Sequence, residues 1–193
     1  MLERKEIDIN HQNSRGYCSF MIAKIHNTKE MFDKLINDPR IDKSLIDGKG
    51  ISLLSPIYSD SALFSKLIRM KEIDLNVISE DGYTPIHYAI MHKNMDCLLY
   101  LLSCNRINVP INYRTKNGSS FLHVAASVKS AYFFNFFAKK GIDINCQDND
   151  GRTPLMILIG QSSPISPLWD SLLKRKKLNI NLQDNEGIHG FSF

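Results

Sequence analysis

The sequence predicts an all-α solenoid of stacked helix–turn–helix units with short β-hairpin turns between them, and three observations carry that expectation. A turn that begins in Asn, once in Ser, and ends in Gly recurs along the whole chain. After each glycine comes a helix-start signal of varying completeness, and after that a second stretch with apolar residues at helical spacing. The repeat length is that of one supersecondary unit, which cannot bury its apolar faces without a stacked neighbour.

The turns read "NHQNSRG" from Asn10, "SLIDGKG" from Ser44, "NVISEDG" from Asn76, "NYRTKNG" from Asn112, "NCQDNDG" from Asn145 and "NLQDNEG" from Asn181. Their glycines, Gly16, Gly50, Gly82, Gly118, Gly151 and Gly187, are spaced by 34, 32, 36, 33 and 36 residues. Upstream of most lies an apolar-polar-apolar string: Ile7-Asp8-Ile9, Ile73-Asp74-Leu75, Ile142-Asp143-Ile144 and Leu178-Asn179-Ile180. A short extended segment ending in Asn and turning through a Gly-containing polar stretch is hairpin chemistry, with Asn making an Asx-turn and Gly tolerating positive φ. Each junction is therefore expected to be a polar finger.

The first helix of each unit follows its glycine. In "GYTPIHYAI" Thr84 caps the orphan N–H groups and Pro85 sits where its missing N–H costs nothing, with Ile86, Ala89 and Ile90 on one face. Thr153, Pro154 and Leu155 repeat this arrangement, while Ser120, Leu122 and His123 keep it with Phe121 in place of proline. "GISLLSPIY" keeps only Ser52 and Leu54. The second helices carry Phe32, Leu35 and Ile36; Phe64, Leu67 and Ile68; Leu98, Leu101 and Leu102; Phe133, Phe136 and Phe137; and Trp169, Leu172 and Leu173.

Two helices and a hairpin at this period, with Thr-Pro-Ile-His at 84 to 87, resemble the ankyrin repeat. The resemblance covers essentially the whole chain as a single domain, 1–193. Its units are expected at about 10–43, 44–75, 76–111, 112–144 and 145–180, with partial units at 1–9 and 181–193. The glycine that such repeats carry before the apolar string appears only as Gly141, with Arg40, Glu72 and Lys177 elsewhere, so those turns should differ. Extra length around Pro110 and in "GQSSPISP" is expected in loops. The tail "NLQDNEGIHGFSF" reads as the finger of a sixth unit, and the chain as a window on a longer solenoid; the competing reading makes Phe191 and Phe193 a minimal cap.

Composition bounds the function. The 193 residues are 43% hydrophobic and 23% charged, a globular balance, and the charged start "MLERKEIDIN" is unlike a secretory signal. Cys18, Cys97, Cys104 and Cys146 form no CxxC pair and no zinc-spaced cluster, so packed thiols are expected and neither a metal nor a cofactor. No nucleophile-base constellation, Gly-rich phosphate loop or HExxH helix is present, which argues against an enzyme. A formal charge of +4 argues against nucleic acid, and a monomer in the cytoplasm is expected. The run Lys174-Arg175-Lys176-Lys177 reads as cations suiting a helix C-terminus, with nuclear import or an anionic surface as the functional alternative. His87 and His123 occupy equivalent places and read as imidazoles bonding the neighbouring hairpin backbone; the aromatic run 131–137 reads as core.

The resemblance implies a protein-binding surface of hairpin tips and first helices. Carried onto this chain, its positions are Arg15, Tyr17 and His26; Lys49, Ile51 and Asp60; Glu80, Asp81, Tyr83, Met91 and His92; Lys116, Asn117, Ser119 and Val128; Asn149, Asp150, Arg152 and Gln161. Tyr17, Ile51 and Tyr83, which follow turn glycines, are expected as exposed anchors. The residues before the glycines run Arg15, Lys49, Asp81, Asn117, Asp150 and Glu186, from basic to mainly acidic. The expected function is a non-enzymatic interaction scaffold or adaptor; the alternative is the targeting or regulatory region of a larger enzyme, channel or effector.

Overall fold

A computed structural model describes residues 8–26, 28–44, 68–161 and 167–189. The expectations for Ser52, Leu54, Phe64, Leu67, Phe191 and Phe193 lie outside them. Among the described residues the chain forms eight helices in four pairs: α1 Ser19–Ile25 with α2 Lys29–Ile36, α3 Pro85–Met91 with α4 Met95–Ser103, α5 Phe121–Ser127 with α6 Ala131–Lys139, and α7 Pro154–Ile159 with α8 Pro167–Leu173.

The helix starts follow the capping chemistry read from the sequence. Thr84, Ser120 and Thr153 are extended, and Pro85 and Pro154 open their helices. Thr153 Oγ1 accepts from the Met156 N–H at 3.3 Å. The second helices have caps of their own: Asn94 Oδ1 accepts from the Cys97 N–H at 3.0 Å, and Ser130 Oγ from the Phe133 N–H at 3.5 Å. Between α3 and α4, and again between α5 and α6, one residue turns through the left-handed region, Lys93 and Lys129, both at φ 54°.

Apolar spacing becomes a continuous core. The first helices stack side by side, α3 on α5 and α5 on α7, while α6 packs on α8 behind them. α5 is central, and Phe121 through Ala126 are all buried. The aromatic run of α6 is core as expected, but Phe134 is buried with Phe133 and Phe137, whereas Phe136 is half-buried and Tyr132 is 63% exposed. In α8 Leu168 and Leu172 are buried and Leu173 faces out.

The polar fingers are built by one repeated set of bonds. The residue three before the glycine, Asn13, Ser79, Thr115, Asp148 or Asp184, accepts the glycine N–H on its own carbonyl at 2.8–3.0 Å. Its N–H donates to the carbonyl of the residue after the glycine, and its side chain takes that residue's N–H in return. This corrects the sequence reading, in which the leading Asn makes the turn. That Asn instead ties its finger to the segment that leads into the next finger: Asn76 Nδ2 donates to Arg106 O at 2.8 Å while its Oδ1 accepts from the Asn108 N–H at 2.7 Å. Asn10 joins Arg40 and Asp42 in the same way, and Asn145 joins Lys177 and Asn179.

Adjacent fingers are then zipped backbone to backbone. The N–H groups of Lys116, Asn149 and Asn185 donate to Asp81 O, Asn117 O and Asp150 O at 3.1, 3.0 and 2.9 Å. The zipper needs glycine for two reasons. Gly118 has φ +79°, and a Cβ there would sit 2.7 Å from the Asn149 amide nitrogen. Of the string-preceding positions only Gly141 turns at positive φ; among the described residues Arg40, Glu72 and Lys177 do not, so those turns do differ.

Gly118→Ala is therefore expected to lower the unfolding free energy by about 2–3 kcal/mol in urea denaturation, from left-handed strain plus the clash. Gly187→Ala shares φ +79° but meets nothing within 4 Å. It should cost only the strain, about 1 kcal/mol.

Candidate interaction surface

The surface implied by the resemblance divides into side chains that hold the scaffold and side chains that do not. Thr84 and Ser120 position the histidine three residues on. The backbone N–H of Thr84 donates to His87 Nδ1 at 3.1 Å and that of Ser120 to His123 Nδ1 at 3.1 Å. A nitrogen that accepts from an N–H carries no proton, so both rings are protonated on Nε2. His123 Nε2 donates to Arg152 O at 2.9 Å, tying α5 to the next finger.

That is the bond expected of both histidines, and His87 does not make it. Its Nε2 is buried without a hydrogen-bond partner. Aromatic edges surround it instead: Phe121, Tyr83 and Tyr113 have ring centroids 4.5, 5.6 and 5.8 Å away. Burial pushes the His87 imidazole down to about 3 and also lowers that of His123. Both are neutral structural groups at physiological pH.

The anchors placed after the glycines are corrected by the structure. Tyr83 is half-buried, its ring set against His87 and Tyr88, and Tyr17 is half-buried against the core. The residue after the glycine closes the finger and so is drawn inward. Ser119 at the equivalent place is buried. Ile51, Lys49 and Asp60 lie outside the described residues.

Several other predicted positions already have work. Asn117 Oδ1 accepts from the Ser119 N–H at 3.2 Å, and Asn149 Nδ2 donates to Lys116 O at 2.8 Å. Arg152 lies 2.9 Å from the buried Asp148 carboxylate and 2.7 Å from exposed Asp150. Gln161 donates to Ser127 O at 3.0 Å, and Val128 is half-buried.

Arg15, Glu80, Asp81 and Lys116 are exposed, and their side chains have no intramolecular partner among the described residues. His26 and His92 are also exposed, and Met91 is 40% exposed at the end of α3. The Lys116–Asp81 backbone bond and the Asn149 bonds to Asn117 and Lys116 bring the finger tips 80–81, 116–117 and 149–150 into one row. Sequence reasoning missed a second layer below that row. Arg114 Nη1 donates to Gly118 O and Gln147 O, both at 2.8 Å, and Gln147 Nε2 to Gly151 O at 2.6 Å and Gln183 O at 2.8 Å. The signal was a long amide or guanidinium donor two residues after the leading Asn. It missed Arg106 as well, whose guanidinium gathers the carbonyls of Ile68, Met70, Lys71 and Ile73.

Among the described residues no group of His, Cys, Asp and Glu could hold a metal ion, and no helix is long and apolar enough to cross a membrane. Residues 57–148 match the family model for ankyrin repeats in three copies. A probable serine/threonine-protein kinase of Dictyostelium discoideum is 36% identical over 86 residues, 44% of this chain and 10% of the kinase. A putative ankyrin repeat protein of fowlpox virus is 29% identical over 110 residues, 53% of this chain and 56% of that protein. Another, from Acanthamoeba polyphaga mimivirus, is 26% identical over 156 residues, 78% of this chain and 20% of that protein. The chain thus spans about half the length of the fowlpox relative and a fifth or less of the other two.

The buried histidines make stability depend on pH. Below the ordinary value of 6.5 the unfolded chain binds a proton that His87, held at about 3, refuses, so stability is full above 6.5 and falls as pH drops toward 3. Between pH 7.5 and 5 the unfolding free energy should fall by roughly 2 kcal/mol through His87 alone. His123 acts in the same direction. His87→Gln should flatten the profile measured by urea denaturation.

Proposed function

We propose that this chain, an ankyrin-repeat protein, is a non-enzymatic adaptor that recognises another protein with its finger tips and first helices. Ankyrin repeats generally mediate protein–protein interaction and are generally non-catalytic. The observation that carries the finer reading is the row of hydrogen-bonded tips. It holds Glu80, Asp81 and Lys116 exposed and, among the described residues, without an internal partner, on a backbone fixed by the zipper. Pre-ordered charges lose little freedom on association and set orientation and encounter rate.

The anchor moves accordingly from the tyrosines to Met91, whose exposed thioether lies at the far end of a seven-residue helix, about 10 Å from the finger. Acidic Glu80 and Asp81 favour a basic partner segment around the third unit, with Arg15 supplying the opposite sign at the N-terminal finger. The chain acts as a monomer in this reading, without nucleic acid, metal or cofactor.

A second reading has one observation behind it. The match to a tenth of a kinase shows that stretches like this one occur within much larger proteins. In that case the same surface would target an attached domain.

Affinity capture with mass spectrometry tests the surface. Proteins retained by the wild-type chain should be lost at least tenfold by the triple variant Glu80→Lys, Asp81→Lys, Met91→Ser, with far-UV circular dichroism unchanged. Retention of the same proteins at the same level would overturn the finger-row assignment. Probing native lysates for the size of the endogenous polypeptide separates a free adaptor from a targeting region.

A further inference from the structure

A second surface lies away from the finger row, between α6 and the turn that follows α8. Here Arg175, Lys176 and Lys177 of the basic run come beside Ala138 and Gly141, at the C-terminal end of α6. Between them is an open cleft of about 550 Å³. Its floor is aliphatic, with Ala138 and Ile142 half-buried and Ile144 buried; its wall is Arg175, Lys176 and Lys177. One carboxylate, Asp143, also lines it, with its Oδ1 accepting from the Asn145 N–H at 3.0 Å.

Attraction of cations to helix C-termini accounts for Lys139 and for one or two residues after α8, at about 0.3–1 kcal/mol each. It does not account for four successive cations, Lys174 to Lys177, with no carboxylate paired to any of them among the described residues. Nor does it account for how Arg175 is held. Its Nη2 donates to Asn135 Oδ1 at 2.7 Å and its guanidinium lies 5.9 Å from the Phe134 ring centroid, so the charge is fixed in the cleft wall. Its Nε–H is buried with no acceptor. A positioned guanidinium without its own anion, above an aliphatic floor, is a receptor for a carboxylate with an apolar neighbour.

We propose that this cleft binds an acidic peptide segment of a partner protein, with one aliphatic side chain on the Ala138, Ile142 and Ile144 floor and flanking carboxylates on Arg175, Lys176 and Lys177. The lining favours peptide over nucleic acid. Among the described residues no aromatic ring lines the cleft for a base to stack on, an aliphatic floor has no counterpart in a phosphate backbone, and the net charge is only +4. The volume suits a few side chains rather than a duplex. The fingers and this cleft differ in sign, so the two can engage different partners.

The probe is a fluorescein-labelled peptide, Glu-Asp-Leu-Asp-Glu, followed by anisotropy with the intact chain at low salt. Saturable binding is expected, weakened at least tenfold by Lys176→Glu with Lys177→Glu and by replacing the peptide's Leu with Ser. Lys176→Gln with Lys177→Gln should give a smaller loss, and circular dichroism of both variants should match wild type. The proposal is overturned if the peptide fails to bind, if charge reversal leaves binding intact, if the Ser peptide binds as well as the Leu peptide, or if single-stranded RNA of equal charge binds more tightly. Capture by the finger row is read separately, with the Glu80, Asp81 and Met91 variant, so either assignment can fail alone.

Discussion

The amide of one finger tip donating to a carbonyl of the tip before it is the bond on which the rest of this structure depends. Lys116, Asn149 and Asn185 make it in succession, and each time the backbones approach closely at a glycine in the left-handed region. A side chain at Gly82, Gly118 or Gly151 would meet the next finger's backbone, so the close approach and the backbone conformation demand the same residue. Once the tips are zipped, the register of the described first helices is set, because each begins three residues after its glycine. Packing of α3 on α5 and of α5 on α7 then follows with little further choice.

Side-chain bridges repeat along the same direction and tolerate gaps. The leading Asn ties its finger to the segment before the next one at Asn10, Asn76 and Asn145, yet Asn112, which follows Pro110, makes no hydrogen bond among the described residues. The lower layer of long donors includes Gln12, Arg114 and Gln147 but has Ile78, 48% exposed, at the equivalent place. Where His123 bonds the next finger, His87 relies on surrounding rings. No single bridge is indispensable because each interface is also held by its zipper and by the core, as expected where stability is a sum over neighbouring contacts.

The fold was legible in the sequence because its determinants are local and periodic. A Thr-Pro pair after a glycine states where a helix begins, and residues such as Leu98 and Leu101 state which face is buried, without knowledge of any other unit. What was not legible required the neighbour. The leading Asn looked like a turn residue because Asn makes turns, but its amide is spent on the far end of its own unit, where the folded chain brings Arg106 O or Lys177 O, 30 and 32 residues on, against it. Tyr17 and Tyr83 looked exposed because each follows a turn glycine; closing the finger turns them toward the core, where Tyr83 meets His87 and Tyr88. The positions of the binding surface could be carried over by register, whereas their availability could not.

Availability is what gives the surface its information. A finger position whose side chain closes the turn or bridges units cannot be varied freely, and this removes Asn117, Asn149, Ser119 and Arg152 from the set that can encode a partner. The pair just before each glycine remains, but only where its side chains are unspent among the described residues: Arg15 in the first finger, Glu80 and Asp81 in another, Lys116 in the next, Glu186 in the last. Specificity from the fingers is therefore carried by a few charges in fixed relative positions, and charges alone steer better than they hold. Affinity has to come from desolvated apolar area. The structure supplies that separately, at Met91 one helix length away from the acidic tips and on the aliphatic floor of the basic cleft, so that each charged surface has an apolar contact within its reach.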